Sequence, residues 1–329
     1  MRVARCELRV ARNGLVFAGL AAALIAMPAR AEDLNLEAWW RDACLWEVGS
    51  NLEKVPAARK KLIEAGAPTL DFLIPARLDA ADTIITRALS MVITGIAGSP
   101  AQPPQSPDLR NQAFSGLINA LTSDKPNVRR NAADLLGQMG ATEAADHIAP
   151  LLKDKDARGG ALAALGALKA ESCVPDIAAM ARDPSVSERG RFTAVSTLGA
   201  IGGARAQEAL LGFLSDKTAT IRFAAQYALE SLRSTGALVS RLRDPDRRAR
   251  LHAISALGRI GERSTRSDLK ALLDDADATV RGFVVEALGF MQKPSDAAWI
   301  RERLVTEKDE FVKGKLLEAL RRVESGGTE

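Results

Sequence analysis

Apolar and small side chains recur along the chain at the 3.6-residue spacing of an amphipathic helix. In the segment 124–140 the apolar residues fall on one face of such a helix: Val128, Ala132, Ala133, Leu136 and Met139. An acidic, proline-containing stretch precedes this stripe and Gly140 follows it, as at the start and the end of a helix. A further apolar stripe follows over 143–152, so the pattern predicts pairs of antiparallel helices.

The same pattern returns about every 31 residues. Each copy approximates Arg-x-x-Ala-x-x-x-Leu-Gly, and its leucine serves as an anchor: Leu136, Leu165, Leu198, Leu229, Leu257, Leu288 and Leu320. Successive anchors are 29, 33, 31, 28, 31 and 32 residues apart. One helical pair cannot bury its own apolar face, so repeated pairs stack into a continuous core. The period therefore predicts an all-α fold, an α-α superhelix of about eight helical pairs.

The repeated motif Val-Arg-x-x-Ala-x-x-x-Leu-Gly-x-Ile-Gly resembles the HEAT repeats of the phycobilisome-lyase-like class. The likeness is clearest in 250–261, Arg-Leu-His-Ala-Ile-Ser-Ala-Leu-Gly-Arg-Ile-Gly, and it extends over 109–323. This resemblance implies a HEAT or armadillo-type solenoid. It also implies one enzymatic alternative, an enzyme or enzyme subunit related to the bilin lyases.

Outside the regular repeats the chain divides into further predicted segments. These are a signal peptide (1–31), a Trp-rich helical cap (32–56), a degenerate HEAT-like pair (57–97), a Pro-rich loop (98–108) and a C-terminal tail (324–329). Within the degenerate pair we expect helices over 59–73 and 83–96. We expect the cap to be helical over 34–52 and the Gly- and Pro-rich loop to be flexible.

The N-terminus has the pattern of an export signal. Four arginines before residue 13 precede an uncharged apolar run, 14–27, and Ala29-Arg30-Ala31 supplies a small-x-small cleavage site. The run has 14 residues, fewer than the roughly 20 of a transmembrane helix. We therefore expect cleavage before Glu32 and a mature protein in the periplasm or outside the cell, with an uncleaved anchor as the alternative.

Removal of this signal changes the charge of the chain. The formal net charge is +4, but five of the 45 Lys and Arg residues and one of the 41 Asp and Glu residues lie in 1–31, which leaves 40 of each. Nucleic-acid binding needs a basic face, so we do not expect it. The segment 241–270 holds nine basic and four acidic residues. Such a mixed segment indicates a solvated face, with an anionic phospholipid surface as the alternative.

Candidate chemical groups are few. His147 and His252 lie in different repeats, and metal ligands must converge on one point. The His-Glu pairs with which HEAT-like deoxyhypusine hydroxylases bind iron are absent. Neither a Gly-x-Ser-x-Gly elbow nor a P-loop is present. Cys44 and Cys173 are 129 residues apart, and we expect two free thiols. The sequence therefore predicts no catalytic residue, metal or cofactor, and no enzymatic activity.

An arginine stands seven positions before most anchors, and this ladder comprises Arg129, Arg158, Arg191, Arg222, Arg250 and Arg281. Because it repeats in every unit, we expect these arginines to pair with carboxylates or helix-end carbonyls of neighbouring units. The alternative is a basic stripe for an acidic partner.

In the helix that carries the anchor leucine, we expect three positions to point away from the core. They lie five residues before the anchor, two residues before it and two residues after it. In the later repeats they hold aromatic and charged residues: Tyr227, His252, Arg259, Phe283, Glu286 and Phe290. Aromatics and arginine commonly anchor interfaces, so we interpret this set as a partner-binding surface. Irregular core packing is the alternative. The sequence thus favours an exported scaffold for a protein partner over an enzyme or a structural role in envelope assembly.

Overall fold

The structure, a computed structural model, describes residues 34–325. The predicted signal peptide, residues 32–33 of the predicted cap and residues 326–329 of the predicted tail lie outside the described residues. Residues 34–325 form eighteen α-helices and no β-strand. The first nine helices are α1 (Leu36–Ala43), α2 (Asn51–Ala65), α3 (Ala67–Arg77), α4 (Thr83–Ala97), α5 (Pro107–Ala120), α6 (Pro126–Gln138), α7 (Ala145–Ile148), α8 (Arg158–Ala167) and α9 (Val174–Arg182). The others are α10 (Glu188–Ile201), α11 (Gly203–Phe213), α12 (Ala219–Ser231), α13 (Thr235–Ser240), α14 (Arg247–Ile260), α15 (Arg266–Lys270), α16 (Ala278–Phe290), α17 (Asp296–Thr306) and α18 (Glu310–Ser325).

From α3 onward the helices alternate between two layers, odd-numbered helices in one and even-numbered helices in the other. Each odd-numbered helix packs against the even-numbered helix that follows it, and each even-numbered helix also contacts the next even-numbered helix. The sixteen helices α3–α18 make eight such pairs, and α1 packs on α2 before them. The prediction of an all-α solenoid of stacked helical pairs is confirmed.

The anchor leucines form the centre of the core. Five of them are fully buried, namely Leu136, Leu165, Leu198, Leu229 and Leu257. Burial of one such side chain contributes roughly 1.5–3 kcal/mol, so the repeated column accounts for much of the packing energy. Leu320 of α18, the last helix in the described range, is only half-buried.

Glycine directly after the anchor lets successive even-numbered helices approach closely. A Cβ added at Gly137 of α6 would lie 2.8 Å from the Cα of Ala164 in α8. At Gly258 of α14 an added Cβ would likewise be 2.8 Å from the Cα of Ala287 in α16. Because these atoms belong to the backbone of the neighbouring helix, a side chain could fit only if the helices moved apart.

Two predictions for the N-terminal region are wrong. The expected helix over 59–73 is interrupted at Gly66, whose φ of +62° ends α2 and begins α3. In the cap, residues 44–50 form turns between α1 and α2. The Pro-rich loop forms hydrogen bonds to the helices around it: the Gln105 backbone amide donates to the Ile96 carbonyl at 3.0 Å, and its side chain donates to the Ile63 carbonyl at 2.8 Å. These two bonds attach the loop to α4 and α2.

The described helices were also compared with the length and hydropathy that a membrane span requires. None of those in residues 34–325 is both long enough and apolar enough to cross a bilayer.

Candidate partner-binding surface

The arginine ladder is part of the fold. Arg129 Nε donates to Asp154 Oδ2 at 2.7 Å, and Arg191 Nη2 donates to Asp216 Oδ2 at 2.7 Å, in each case reaching the next helical pair. Arg281 makes the same kind of contact with Glu307. The remaining ladder arginines donate to backbone carbonyls in the turn before their own helix: Arg158, Arg222 and Arg250. The ladder therefore has the structural role that we expected.

The Arg281–Glu307 pair shows that a ladder contact can stabilise the ionised form of its carboxylate. Two guanidinium nitrogens of Arg281 bind the two carboxylate oxygens of Glu307 at 3.0 and 2.8 Å. The hydrogen bonds from Arg281 lower the pKa of Glu307 to about 2, although burial acts in the opposite direction. This carboxylate stays ionised over the whole physiological range and keeps the last two helical pairs linked.

The structure exposes only part of the predicted partner-binding set. Tyr227 on α12 is 71% exposed and Phe290 on α16 is 54% exposed, while Arg259 on α14 also faces solvent. The column five positions before the anchor does not face solvent as expected, because His252 and Phe283 are half-buried. Phe283 packs against the hydrophobic core. The alternative of core packing therefore holds for Phe283.

Other members of the predicted set have partners outside it. Glu286 accepts a hydrogen bond from Lys315 on α18 at 2.7 Å. Arg259 lies 3.8 Å from Glu230, and the guanidinium of Arg322 lies 5.2 Å from the centre of the Phe290 ring. The six residues thus belong to three adjacent helices without forming one cluster of mutual contacts.

Two exposed aromatic residues stand one position earlier than the predicted column. Phe192 on α10 and Phe223 on α12 are 45% and 57% exposed, each six positions before its anchor. Both follow a ladder arginine directly, so the repeated Arg-Phe pair is the sequence signal that could have identified them. We call Phe192, Phe223 and Tyr227 the aromatic surface. These three large rings lie on two even-numbered helices that contact each other.

A hydrogen-bond network supports the aromatic surface from α14. The Nε of Arg222 donates to Nε2 of His252 at 3.2 Å, and Nδ1 of His252 lies 2.5 Å from Oε1 of Gln226. Burial, and then the charge of Arg222, lower the pKa of His252 to about 4. His252 is therefore neutral at pH 7, and its partners assign the proton to Nδ1, which donates to Gln226. The Phe223 ring packs edge-on against this imidazole, with centroids 5.1 Å apart.

The basic segment 241–270 has many of its charges paired. Arg247 pairs with Asp277, Arg248 with Asp246, and Arg266 with Asp296. Because carboxylates already pair with these guanidinium groups, the segment does not present a continuous positive field to an anionic partner.

The cysteines and the acidic residues give little support to catalysis. Cys44 and Cys173 are both free thiols, as expected. Burial raises the pKa of Cys44 to about 11 and also raises that of Cys173, so both are poor nucleophiles at neutral pH. In the described range 34–325, no group of three or more His, Cys, Asp or Glu residues is arranged to hold a metal ion.

Comparison with known proteins gives a family. The family model of HEAT repeats matches residues 70–159, 153–230 and 235–321. The search of curated proteins found no match to the chain.

Several solved structures are similar to this chain at low identity. Human deoxyhypusine hydroxylase in complex with glycerol is 18% identical, over 78% of this chain and 95% of that chain, with a TM-score of 0.30. The Escherichia coli protein YibA is 15% identical, over 84% and 99%, with a TM-score of 0.41. The complex of CpcE and CpcF of phycocyanin lyase from a Nostoc species is 19% identical, over 77% and 94%, with a TM-score of 0.37. At these identities and TM-scores the similarities carry no inference about activity.

Proposed function

Because the chain belongs to the HEAT-repeat family, we propose that it is an exported scaffold that binds a protein partner and has no catalytic activity of its own. The observation that carries this proposal is the aromatic surface, Phe192, Phe223 and Tyr227, on two adjacent helices of one layer. Large aromatic side chains left exposed together are a common feature of interaction sites.

The aromatic surface differs from the repeated arginine and glycine positions of its layer, because those residues already have contacts within the protein. The ladder arginines bind carboxylates and carbonyls, and the glycine column contacts the neighbouring helix. Phe192 and Tyr227 each leave about half or more of the side chain in water. Burial of an aromatic side chain removes up to 150–250 Å² from solvent, so a partner that covers these rings gains substantial free energy.

The surface is also held in place before binding. His252 and Gln226 connect α12 to α14, and the Gln226 side chain donates further to Glu230 at 2.7 Å and Ser255 at 3.2 Å. Phe223 packs on the imidazole of this network. A rigid aromatic anchor loses little conformational entropy when it binds, which favours affinity.

Export is the second part of the proposal. The arginine-rich start, the apolar run 14–27 and the Ala29-Arg30-Ala31 site support it. Expression of the full chain in a Gram-negative host, with fractionation and N-terminal sequencing, tests it. We expect a periplasmic protein that begins at Glu32; an intact N-terminus in the cytosolic fraction would contradict export.

Site-specific photo-crosslinking tests the binding surface. A photoreactive phenylalanine analogue replaces Phe223 or, as a matched control, Trp46, which is 68% exposed but lies in the N-terminal cap. We expect one discrete crosslinked protein from envelope extract at position 223 and none of that mass at position 46.

The variant Phe223→Ala/Tyr227→Ala provides the complementary measurement. We expect it to retain the helical circular-dichroism spectrum and thermal midpoint of the wild type, because both rings are largely exposed, and to lose the captured protein. Equal capture by the wild type and by this folded variant would refute the aromatic surface as the binding site.

A further inference from the structure

The junction between α4 and α6 lacks the glycine–alanine pair that packs several other junctions of the even-numbered layer. In α6, α10 and α14 the residue after the anchor is glycine, and it meets an alanine of the next even-numbered helix. Between α4 and α6 the corresponding residues are Thr94, which follows Ile93, and Leu135, which precedes Leu136. α4 and α6 also pack less closely than α6 and α8. A cleft of about 250 Å³ opens between the two helices, with Leu89 and Leu135 among its lining residues.

The cleft is lined mainly by polar side chains, and several of them are satisfied within the protein. Ser90 of α4 donates a hydrogen bond across the cleft to the side-chain carbonyl of Gln138 in α6. The amide of Asn131 donates to the carbonyls of Leu78 and Ala80, at 2.8 Å each. These bonds fix both walls of the cleft.

Two opposite charges in the cleft lack partners. Arg87 of α4 and Asp134 of α6 both line it, and within residues 34–325 neither side chain forms a hydrogen bond or an ion pair. Burial raises the pKa of Asp134, and the nearby charge of Arg130 offsets this only in part. The Arg130 guanidinium is directed to the Ala80 carbonyl, at 3.4 Å. Burial takes water away from the Asp134 carboxylate, so ionising it without a hydrogen-bond donor costs free energy. The positive charge of a bound ligand would offset this loss of hydration.

We propose that this cleft binds a small zwitterion of the size of a free amino acid, with its ammonium group on Asp134 and its carboxylate on Arg87. The volume supports the size, because 250 Å³ equals roughly eight water molecules in the liquid and lies below the usual range for drug-sized ligands. The two charges support the class: a ligand with only one charged group leaves either the guanidinium or the carboxylate unpaired. This site is separate from the aromatic surface on α10 and α12.

Titration calorimetry on the full chain tests the proposal, with L-alanine, L-glutamate and L-lysine as zwitterionic probes. Ethylamine and acetate serve as probes that carry one charge each. Backbone amide shifts in 83–90 and 131–138 locate any binding. We expect at least one amino acid to bind and to shift these amides, and the single-charge probes to bind at least tenfold more weakly.

Three variants complete the test. Asp134→Asn removes the negative charge at constant shape and Arg87→Gln removes the positive charge, and we expect each to weaken amino-acid binding about tenfold or more. Arg189→Gln is the matched control, because Arg189 is an exposed arginine on α10 whose side chain has no partner in the described chain. It should bind like the wild type.

Two results overturn the proposal. One is the absence of binding by any amino-acid probe up to about 10 mM, which would mean that water satisfies Arg87 and Asp134 without a ligand. The other is a lack of recognition of the ligand's carboxylate, which would appear as an unchanged affinity in Arg87→Gln or as ethylamine binding as tightly as alanine.

Discussion

Replacing Asp296 by asparagine removes the charge that balances the most buried arginine of the C-terminal units. Arg266 and Asp296 are 6% and 4% exposed, and one guanidinium nitrogen lies 2.6 Å from both carboxylate oxygens. The carboxylate also accepts from the Lys293 amide at 2.8 Å and the Trp299 indole at 2.9 Å. The substitution keeps the shape of the side chain and leaves Arg266 buried without its counter-charge.

The expected cost follows from the remaining contacts of Arg266. Loss of one partner of a buried ion pair costs about 3–5 kcal/mol. Arg266 still donates to the Met291 carbonyl at 2.7 Å, which places the expected loss near the lower end, about 3 kcal/mol. Asp274→Asn is the control: this carboxylate pairs with Arg303 but is 84% exposed, and such pairs contribute about 0–1 kcal/mol.

Urea denaturation gives the free energy, and hydrogen exchange shows where it is lost. A solenoid can unfold in parts, so amide protection in α15–α17 is followed separately from that in the N-terminal helices. We expect protection to fall in α15–α17 and to persist in α4–α8. A loss below about 1 kcal/mol, similar to that of Asp274→Asn, would refute the reasoning, because it would mean that Arg266 recovers hydration or another partner.

Gly137→Ala should destabilise the protein by about 1–3 kcal/mol, because its Cβ would meet the Ala164 backbone. Gly159→Ala on α8 has open space around the new Cβ and should stabilise the protein by roughly 0.5–1 kcal/mol. Thermal unfolding of both variants checks this pair of predictions. The folded-state pKa of His252, about 4, lies below its ordinary value, so stability should fall as the pH drops from about 6.5 to 4. Urea titrations at both pH values should show a smaller decrease for His252→Gln than for the wild type, and an equal decrease would count against this assignment. Cys173 should react with a thiol reagent only after denaturant is added, since its sulfur is buried; reaction at the rate of a free thiol in native buffer would contradict its burial.

The leucine anchors made the fold predictable from sequence, because a buried stripe at helical spacing specifies both the helix and its inward face. The outward columns were less predictable. Phe223 and His252 differ by one position relative to their anchors, yet Phe223 is exposed and His252 is half-buried. A one-residue step turns a side chain by about 100° around the helix, and which direction faces solvent depends on how the next unit stacks.

Local breaks in helices were predicted poorly for a related reason. The stripe over 143–152 is apolar at helical spacing, yet the chain there forms 3₁₀ segments on either side of the four-residue α7. Pro150 has no backbone N–H to extend α7. The cleft between α4 and α6 could not be seen from one helix, because residues of both helices line it. Only an alignment of consecutive repeats shows that Thr94 and Leu135 depart from the small-residue columns.

The ladder makes the junctions between helical pairs unequal in strength. Arg129, Arg191 and Arg281 each reach a carboxylate in the following pair, whereas Arg158 and Arg250 bind carbonyls of their own turn. In a nearest-neighbour description, unequal coupling divides a linear array into cooperative blocks. Arg247, in the same helix as Arg250, binds Asp277 of the following pair, so that junction keeps a carboxylate link. Under a stretching force applied to its two ends, this protein should therefore extend in discrete steps, with the first rupture after the pair that contains Arg158.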